Sequence, residues 1–191
     1  FREFLDRSVP LVGATLTVGE QVATTDETGT VSLVVPANAV YQALFEHEGY
    51  RDRYLYFYAG KEPATILDYF FPSRALEDSL SSVIGLDVDP EKGFLLLSVS
   101  EAGQGVTIDI DTPYERAMVD DPNSQVLFSD GNTLTNGPNI LFLNVDLEPV
   151  TPAITEGNGS VCGMRVDGPE THELDMFPDA WTVFAYDCMT P

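Results

Sequence analysis

Basic side chains are scarce in this sequence. Its 191 residues carry 9 Lys and Arg against 31 Asp and Glu, a net charge of −22. Such a surface repels nucleic-acid phosphates and anionic membranes, so neither is expected as a partner. Histidine is nearly missing, with His47 and His172 the two present. A zinc site needs three or four N or S ligands, and a Ser-His-Asp triad needs a His near a serine on a strained elbow. The sequence supplies neither ligand spacing nor a G-x-S-x-G motif. Long apolar runs are missing too: none reaches the ~18–20 residues that span a bilayer. No stretch of the sequence reads as a signal peptide, and a chain that begins at Phe1 rather than Met is expected to be a mature or trimmed one.

Cysteine is the next scarce residue. Cys162 and Cys188 are the pair, with no C-x-x-C spacing. An even pair fits one disulfide in an oxidising compartment; two reduced core cysteines in a cytosolic protein are the alternative. The triplet Asn158-Gly159-Ser160 matches a glycosylation acceptor, which also belongs outside the cytosol.

What is present points to a folded chain. Apolar residues make up 43% of it, an ordinary globular value. The charge is uneven. Residues 1–80 hold 6 basic and 12 acidic side chains, a net of −6, and residues 81–191 hold 3 and 19, a net of −16. That asymmetry predicts two units with a boundary near residue 80.

Strand patterns dominate. Ala14 to Val18 alternates small or polar with apolar residues, and Gln21 to Thr25 follows after a Gly19-Glu20 turn. Asp26-Glu27-Thr28-Gly29 reads as a tight turn, with the Asp side chain bonding its own backbone and Gly free to take positive φ. Thr30 to Val35 is expected as a β-branched strand stopped by Pro36. Val40 to His47 and Arg53 to Tyr58 complete the series. A strand every 8–12 residues is the rhythm of a sandwich. One helix interrupts it over about 73–85. Ser73 is its N-cap, Leu76, Leu80, Val83 and Ile84 are its apolar positions, and Gly85 is its stop. Beyond it, strands are expected at Gly93–Val99, Val106–Ile110, within 133–145, and at Val150–Thr155, Val161–Val166 and Ala180–Tyr186. The last carries the single Trp, Trp181.

Pro10-Leu11-Val12-Gly13-Ala14-Thr15-Leu16, then Thr25-Asp26-Glu27-Thr28-Gly29, then Tyr41-Gln42-Ala43-Leu44 and Gly49-Tyr50 form an ordered set of motifs over residues 9–58. Together they resemble the carboxypeptidase regulatory-like domain, a transthyretin-like β-sandwich. The departure is Thr30-Val31, where that family usually places an aromatic. A looser second copy lies over about 93–191: Gly105 to Asp109 for the opening, Leu134 to Phe142 for the turn and strand, and an acidic insertion from Tyr114 to Asp130. The resemblance implies an all-β fold of two tandem transthyretin-like sandwiches, residues 1–80 with the linker helix and residues 93–191. It does not fix a function, because such folds carry adhesion modules and enzyme accessories alike. Intradiol dioxygenases and hydroxyisourate hydrolases share the sandwich, but their Tyr/His iron ligands and terminal Tyr-Arg-Gly-Ser are not found.

Three constellations remain. Asp109, Asp111, Asp120, Asp121 and Asp130 crowd the insertion, with Asp109 and Asp111 alternating on one strand face; they either bind Ca²⁺ or extend a solvated loop. Asp87 to Gly93 resembles the start of an EF-hand loop but carries Pro90 and lacks the closing Glu, so a connecting turn is expected. Tyr54, Tyr56 and Tyr58 alternate on one strand face and could stack on sugar rings or be covered by another element. His47, between Glu46 and Glu48, is expected to be solvated or salt-bridged. The expectation is therefore a non-catalytic exported bacterial module with no cofactor, contacting a protein or polysaccharide. The alternatives are a Ca²⁺-stabilised adhesion repeat and a hydrolase or oxygenase on the same fold.

Overall fold

The computed structural model describes residues 1–61, 70–100, 105–124, 127–135, 137–156, 161–163 and 172–189, with backbone alone at 70, 100, 155, 156, 161–163 and 187–189. The described residues are predominantly β with one helix. The chain divides into two compact units, Phe1–Val88 and Asp89–Pro191.

The first unit contains β1 (Arg2–Glu3), β2 (Thr15–Val18), β3 (Gln21–Thr24), β4 (Ala39–Glu46), β5 (Arg53–Ala59), β6 (Phe70–Phe71) and α1 (Arg74–Ile84). Its sheet runs β5–β4–β2–β3, antiparallel throughout, and β1 pairs with β6 in parallel. The sequence motifs meet in space around Thr25. Its buried hydroxyl donates to Leu11 O at 2.6 Å and accepts from Ala14 N–H at 2.9 Å. One threonine thus satisfies two backbone groups of the Pro-Leu-x-Gly-Ala opening, which would otherwise be desolvated without partners. The Asp26 turn forms as its residues predict. Asp26 Oδ1 accepts from Thr28 N–H at 2.8 Å and Thr30 N–H at 3.0 Å, and Gly29 sits at φ +73°. A β-carbon there would collide with the Phe1 carbonyl oxygen, so glycine is required twice over.

Thr30–Val35 differs from expectation. It alternates exposed and half-buried residues as a strand does, yet forms no ladder with any described residue. High β-propensity needs a neighbouring backbone before it becomes a strand. Among the described residues, the bond on this stretch beyond the Asp26 turn is Gln21 Nε2 to Val34 O, 2.8 Å.

Helix α1 follows Ser73, whose backbone is extended but whose side chain makes no capping bond, and stops at Gly85, φ +71°. Leu76, Glu77, Leu80 and Ile84 face inward, while Val83 points out at 69% exposure. Aromatic packing supports this region: Phe45 lies 4.8 Å from Phe71 edge-on and 4.7 Å from Phe1.

The second unit contains β7 (Gly93–Ser100), β8 (Thr107–Asp109), β9 (Arg116–Asp120), β10 (Phe128–Asp130), β11 (Asn139–Val145), β12 (Ala153–Glu156), β13 (Val161–Gly163) and β14 (Trp181–Met189). The order is β10–β9–β11–β7–β14, with β13 beside β14, and β12 pairs separately with β8. β7 and β14 run parallel, and the other pairs are antiparallel. Within the expected acidic insertion β9 and β10 pair, Phe128 against Asp120 and Asp130 against Met118. Strands β7 and β14 are the core. Phe94, Leu95, Leu97 and Val99 pack with Val183, Phe184 and Tyr186, all under a tenth exposed. Residues buried on both faces give the near-continuous apolar runs of these strands.

Candidate functional site

The most concentrated chemistry in the first unit lies where α1 meets β5. Arg53 is 2% exposed, Arg51 4% and Glu77 7%. Glu77 reaches both: Oε2 lies 2.9 Å from Arg51 Nε, and Oε1 lies 2.5 Å from Arg53 Nη2. Arg51 Nη2 also donates to Asp78 Oδ1 at 2.6 Å, and Arg53 Nη2 donates to Pro72 O at 3.2 Å. The Arg53 guanidinium rests over the Phe71 ring, 4.4 Å from its centroid, in cation–π geometry. Burial pushes the Arg53 guanidinium below its ordinary value, and Glu77 opposes that shift. The first residue of the helix is also tied down, Arg74 N–H donating to Gly49 O at 2.8 Å. Each cation is therefore spent on α1 or the chain leading into it. Sequence reasoning missed this cluster: it placed Leu76, Leu80, Val83 and Ile84 on the apolar face of α1 and passed over Glu77. The signal was available: Arg53 shares the strand face of Leu55 and Phe57, so a charge stood on an apolar face.

The tyrosine patch is only partly a surface. Tyr56 is 5% exposed and its hydroxyl accepts from Gln42 Nε2, while Tyr54 and Tyr58 are half-buried. Their register partners on β4 are Leu44, Gln42 and Val40. Burial raises the Tyr54 phenol, helped by Asp52 and Glu46. One member of the trio belongs to the core, so the three do not make an open stacking platform.

His47 lies just past the end of β4. Its ring nitrogens face Glu48 O at 2.9 Å and Val12 O at 3.2 Å, and its ring meets Tyr50 edge-on at 5.0 Å. Its partners are carbonyls, not the flanking carboxylates. His172 belongs to the other unit.

The five aspartates are dispersed among separate partners. Asp109 Oδ1 accepts from Ile110 N–H at 2.9 Å and from the Tyr114 hydroxyl at 3.2 Å. Asp111 lies beyond the end of β8, not on it, and accepts from Thr151 N–H at 3.0 Å. The strand stops at Asp109, which ends the alternation expected to align the two. Asp120 Oδ2 accepts from Asn139 N–H at 3.0 Å and Asn139 Nδ2 at 2.8 Å. Burial lifts the Asp120 carboxyl above the ordinary range, against the pull of Asn139. Asp121 Oδ1 accepts from Asn123 N–H at 2.9 Å. Asp130 forms a forked pair with Arg116, 2.6 Å to Nε and 3.0 Å to Nη2, which holds its carboxyl below the usual value. Among the described residues, no three His, Cys, Asp or Glu side chains converge as metal ligands would.

Asp87 to Gly93 forms the connecting turn: Asp89 Oδ1 accepts from Glu91 N–H at 2.9 Å, and Asp89 N–H donates to buried Asn144 at 3.1 Å. An open groove of about 360 Å³ lies beside β9, lined by Tyr114, Arg116, Asp130 and Asn132 among others. Its cation is already paired with its carboxylate. The side chains of Cys162 and Cys188 and the triplet Asn158–Ser160 lie outside the described residues. The backbones of the two cysteines are described, and they are direct register partners on β13 and β14.

Comparison with known proteins adds little to this geometry. No protein-family model matches the chain, so membership of the carboxypeptidase regulatory-like family is not shown. No curated protein matches it either. Among solved structures, the minor pilin of the Gram-positive pathogen Streptococcus agalactiae is similar over 95% of this chain and 85% of its own, with 12% identity and a TM-score of 0.32. Likeness at that level carries no functional argument. The chain stands as an all-β protein of two compact units whose family is not fixed.

Proposed function

We propose that the chain is a non-catalytic module of an exported protein, built from two transthyretin-like sandwiches in tandem. It acts by surface contact with a protein or polysaccharide partner. One observation supports this above the others: polar groups that could carry chemistry are committed to the fold. His47 faces two carbonyls, Asp120 is held by Asn139, Asp130 is locked to Arg116, and the two buried arginines, which the sequence reading did not single out, are tied to Glu77. A catalytic base or nucleophile must instead be presented to substrate within hydrogen-bond reach.

Charge gives the contact its character. Residues 89–191 contain 3 basic and 18 acidic side chains, a net of −15. Of those three cations, Lys92 lies 2.9 Å from Asp146 Oδ1 and Arg116 is paired with Asp130. The excess negative charge is left to solvent ions or a cationic partner, whose encounter it would accelerate.

Cell fractionation tests the compartment. The full-length protein, tagged and expressed in its own host, should be degraded by protease added to intact cells or be recovered from the medium or periplasm. Recovery in the cytosolic fraction alone, protected until lysis, overturns the export part of the proposal.

A further inference from the structure

We infer that Cys162 and Cys188 form a cross-strand disulfide that fastens β13 to β14. The inference deepens the exported-module function and rests on it for an oxidising compartment.

The topology supplies what the sequence alone could not. In the sequence, 25 residues separate the two cysteines, and nothing in that spacing makes them neighbours. In the second unit β13 lies antiparallel to β14, with Val161 opposite Met189, Cys162 opposite Cys188 and Gly163 opposite Asp187. Directly opposed residues of an antiparallel pair have Cα atoms about 4.5–5.5 Å apart. Disulfides span Cα separations of about 4.4–6.8 Å. The register therefore makes the only two cysteines of the chain direct cross-strand partners, an arrangement whose general Cα separation overlaps the range that disulfides span.

The place is also one where a crosslink has an effect. β13 is three residues long, and among the described residues its ladder partner is β14 alone. β14 in turn carries Val183, Phe184 and Tyr186 into the core. A bond at the middle register pair anchors the short outer strand to the strand that the core already holds.

The chemistry is thiol–disulfide exchange with an oxidised dithiol or oxidised glutathione as acceptor. One cysteine thiolate attacks the oxidant's disulfide and displaces a thiol, forming a mixed disulfide. The second thiolate then attacks that mixed disulfide and displaces the other thiol. Two protons and two electrons leave the protein, and the oxidant departs as two thiols.

The test starts from reduced, folded chain treated with oxidised glutathione, then alkylated without reductant and weighed intact. The expected product is lighter than the reduced chain by two hydrogens and carries no alkyl group or glutathione. Trypsin cleaves after Arg116 and Arg165, so the fragments 117–165 and 166–191 should run as one linked species until reduced. Reduction should lower the melting temperature of the native chain and leave a Cys162→Ser/Cys188→Ser variant unmoved. Two alkylated or glutathionylated thiols on a chain that retains its circular dichroism overturn the inference. The same alkylation on chain recovered directly from its host separates the two ideas. A pair that closes in vitro but is found as free thiols in host-derived chain removes the oxidising compartment and leaves the site intact.

Discussion

Replacing Glu77 with alanine removes the buried carboxylate that touches both Arg51 and Arg53. What remains is two guanidiniums under a tenth exposed that have lost the buried carboxylate between them, with Asp78, whose side chain is 55% exposed, still beside Arg51. The cost of removing one partner from a buried ion pair is about 3–5 kcal/mol, because the abandoned charge keeps its desolvation penalty. Loss of a carboxylate shared by two buried cations places Glu77→Ala in that range, at about 4 kcal/mol. With a urea slope of roughly 2 kcal/mol per molar, the unfolding midpoint should fall by about 2 M. Far-UV circular dichroism follows the loss. Replacing Arg53 with Met together with Glu77 with Leu should cost less than Glu77→Ala, since one cation is removed with its anion and Arg51 keeps Asp78. A midpoint shift below about 0.5 M for Glu77→Ala, near the ~1 kcal/mol ceiling of exposed pairs, would refute the desolvation reasoning. A double variant no more stable than the single one would refute it as well.

Two further outcomes follow from the acidic groups. Melting temperature should rise smoothly with NaCl, and MgCl₂ and CaCl₂ should act alike at matched ionic strength, because the net charge of −22 self-repels and diffuse ions screen it. A saturable, Ca²⁺-selective rise at sub-millimolar concentration, lost on changing Asp109 and Asp111 to Asn, would instead establish a site. For Asp120, burial raises the folded carboxyl above its unfolded value, so the folded state binds the proton more readily. Its contribution to stability is present below the unfolded value of about 3.9 and is lost as pH rises through the folded value. Asp120→Asn, which keeps an acceptor for Asn139, should therefore melt at or above the native chain at pH 7 and lose that advantage as pH falls toward about 4. A variant that melts lower at pH 7, measured by calorimetry, contradicts the assignment.

Local chemistry made part of this fold legible. Alternation found β2, β3, β4 and β5 to within a residue or two, and Ser73 and Gly85 bracketed α1. Both signals act within a few residues of the chain, where propensity and turn geometry dominate. The failures lie where the partner is distant. Thr30–Val35 has the composition of a strand but no ladder among the described residues. Within the acidic stretch 114–130 no strand was expected, because its charges mask β9 and β10, yet Met118 and Val119 are buried there. On α1, helical spacing favoured Val83 as an inward residue and ignored Glu77; the buried arginines of the β5 segment reverse those roles. The candidate site fared similarly. Five aspartates close in sequence drew attention as one cluster, and hydrogen bonds from Asn139, Thr151, Asn123 and Arg116 pull them to separate places.

The parallel pairing of β7 with β14 has a mechanical consequence. These are the first and last strands of the second unit, matched in seven consecutive register pairs from Phe94–Trp181 to Ser100–Asp187. Because they run the same way, a pull applied at Gly93 and at Met189 draws them in opposite directions along their shared ladder. Load then falls on all seven pairs at once as shear. An antiparallel pair with a common end would unzip one bond at a time under the same tension. Tension between those two points is thus met by the seven-pair ladder in shear.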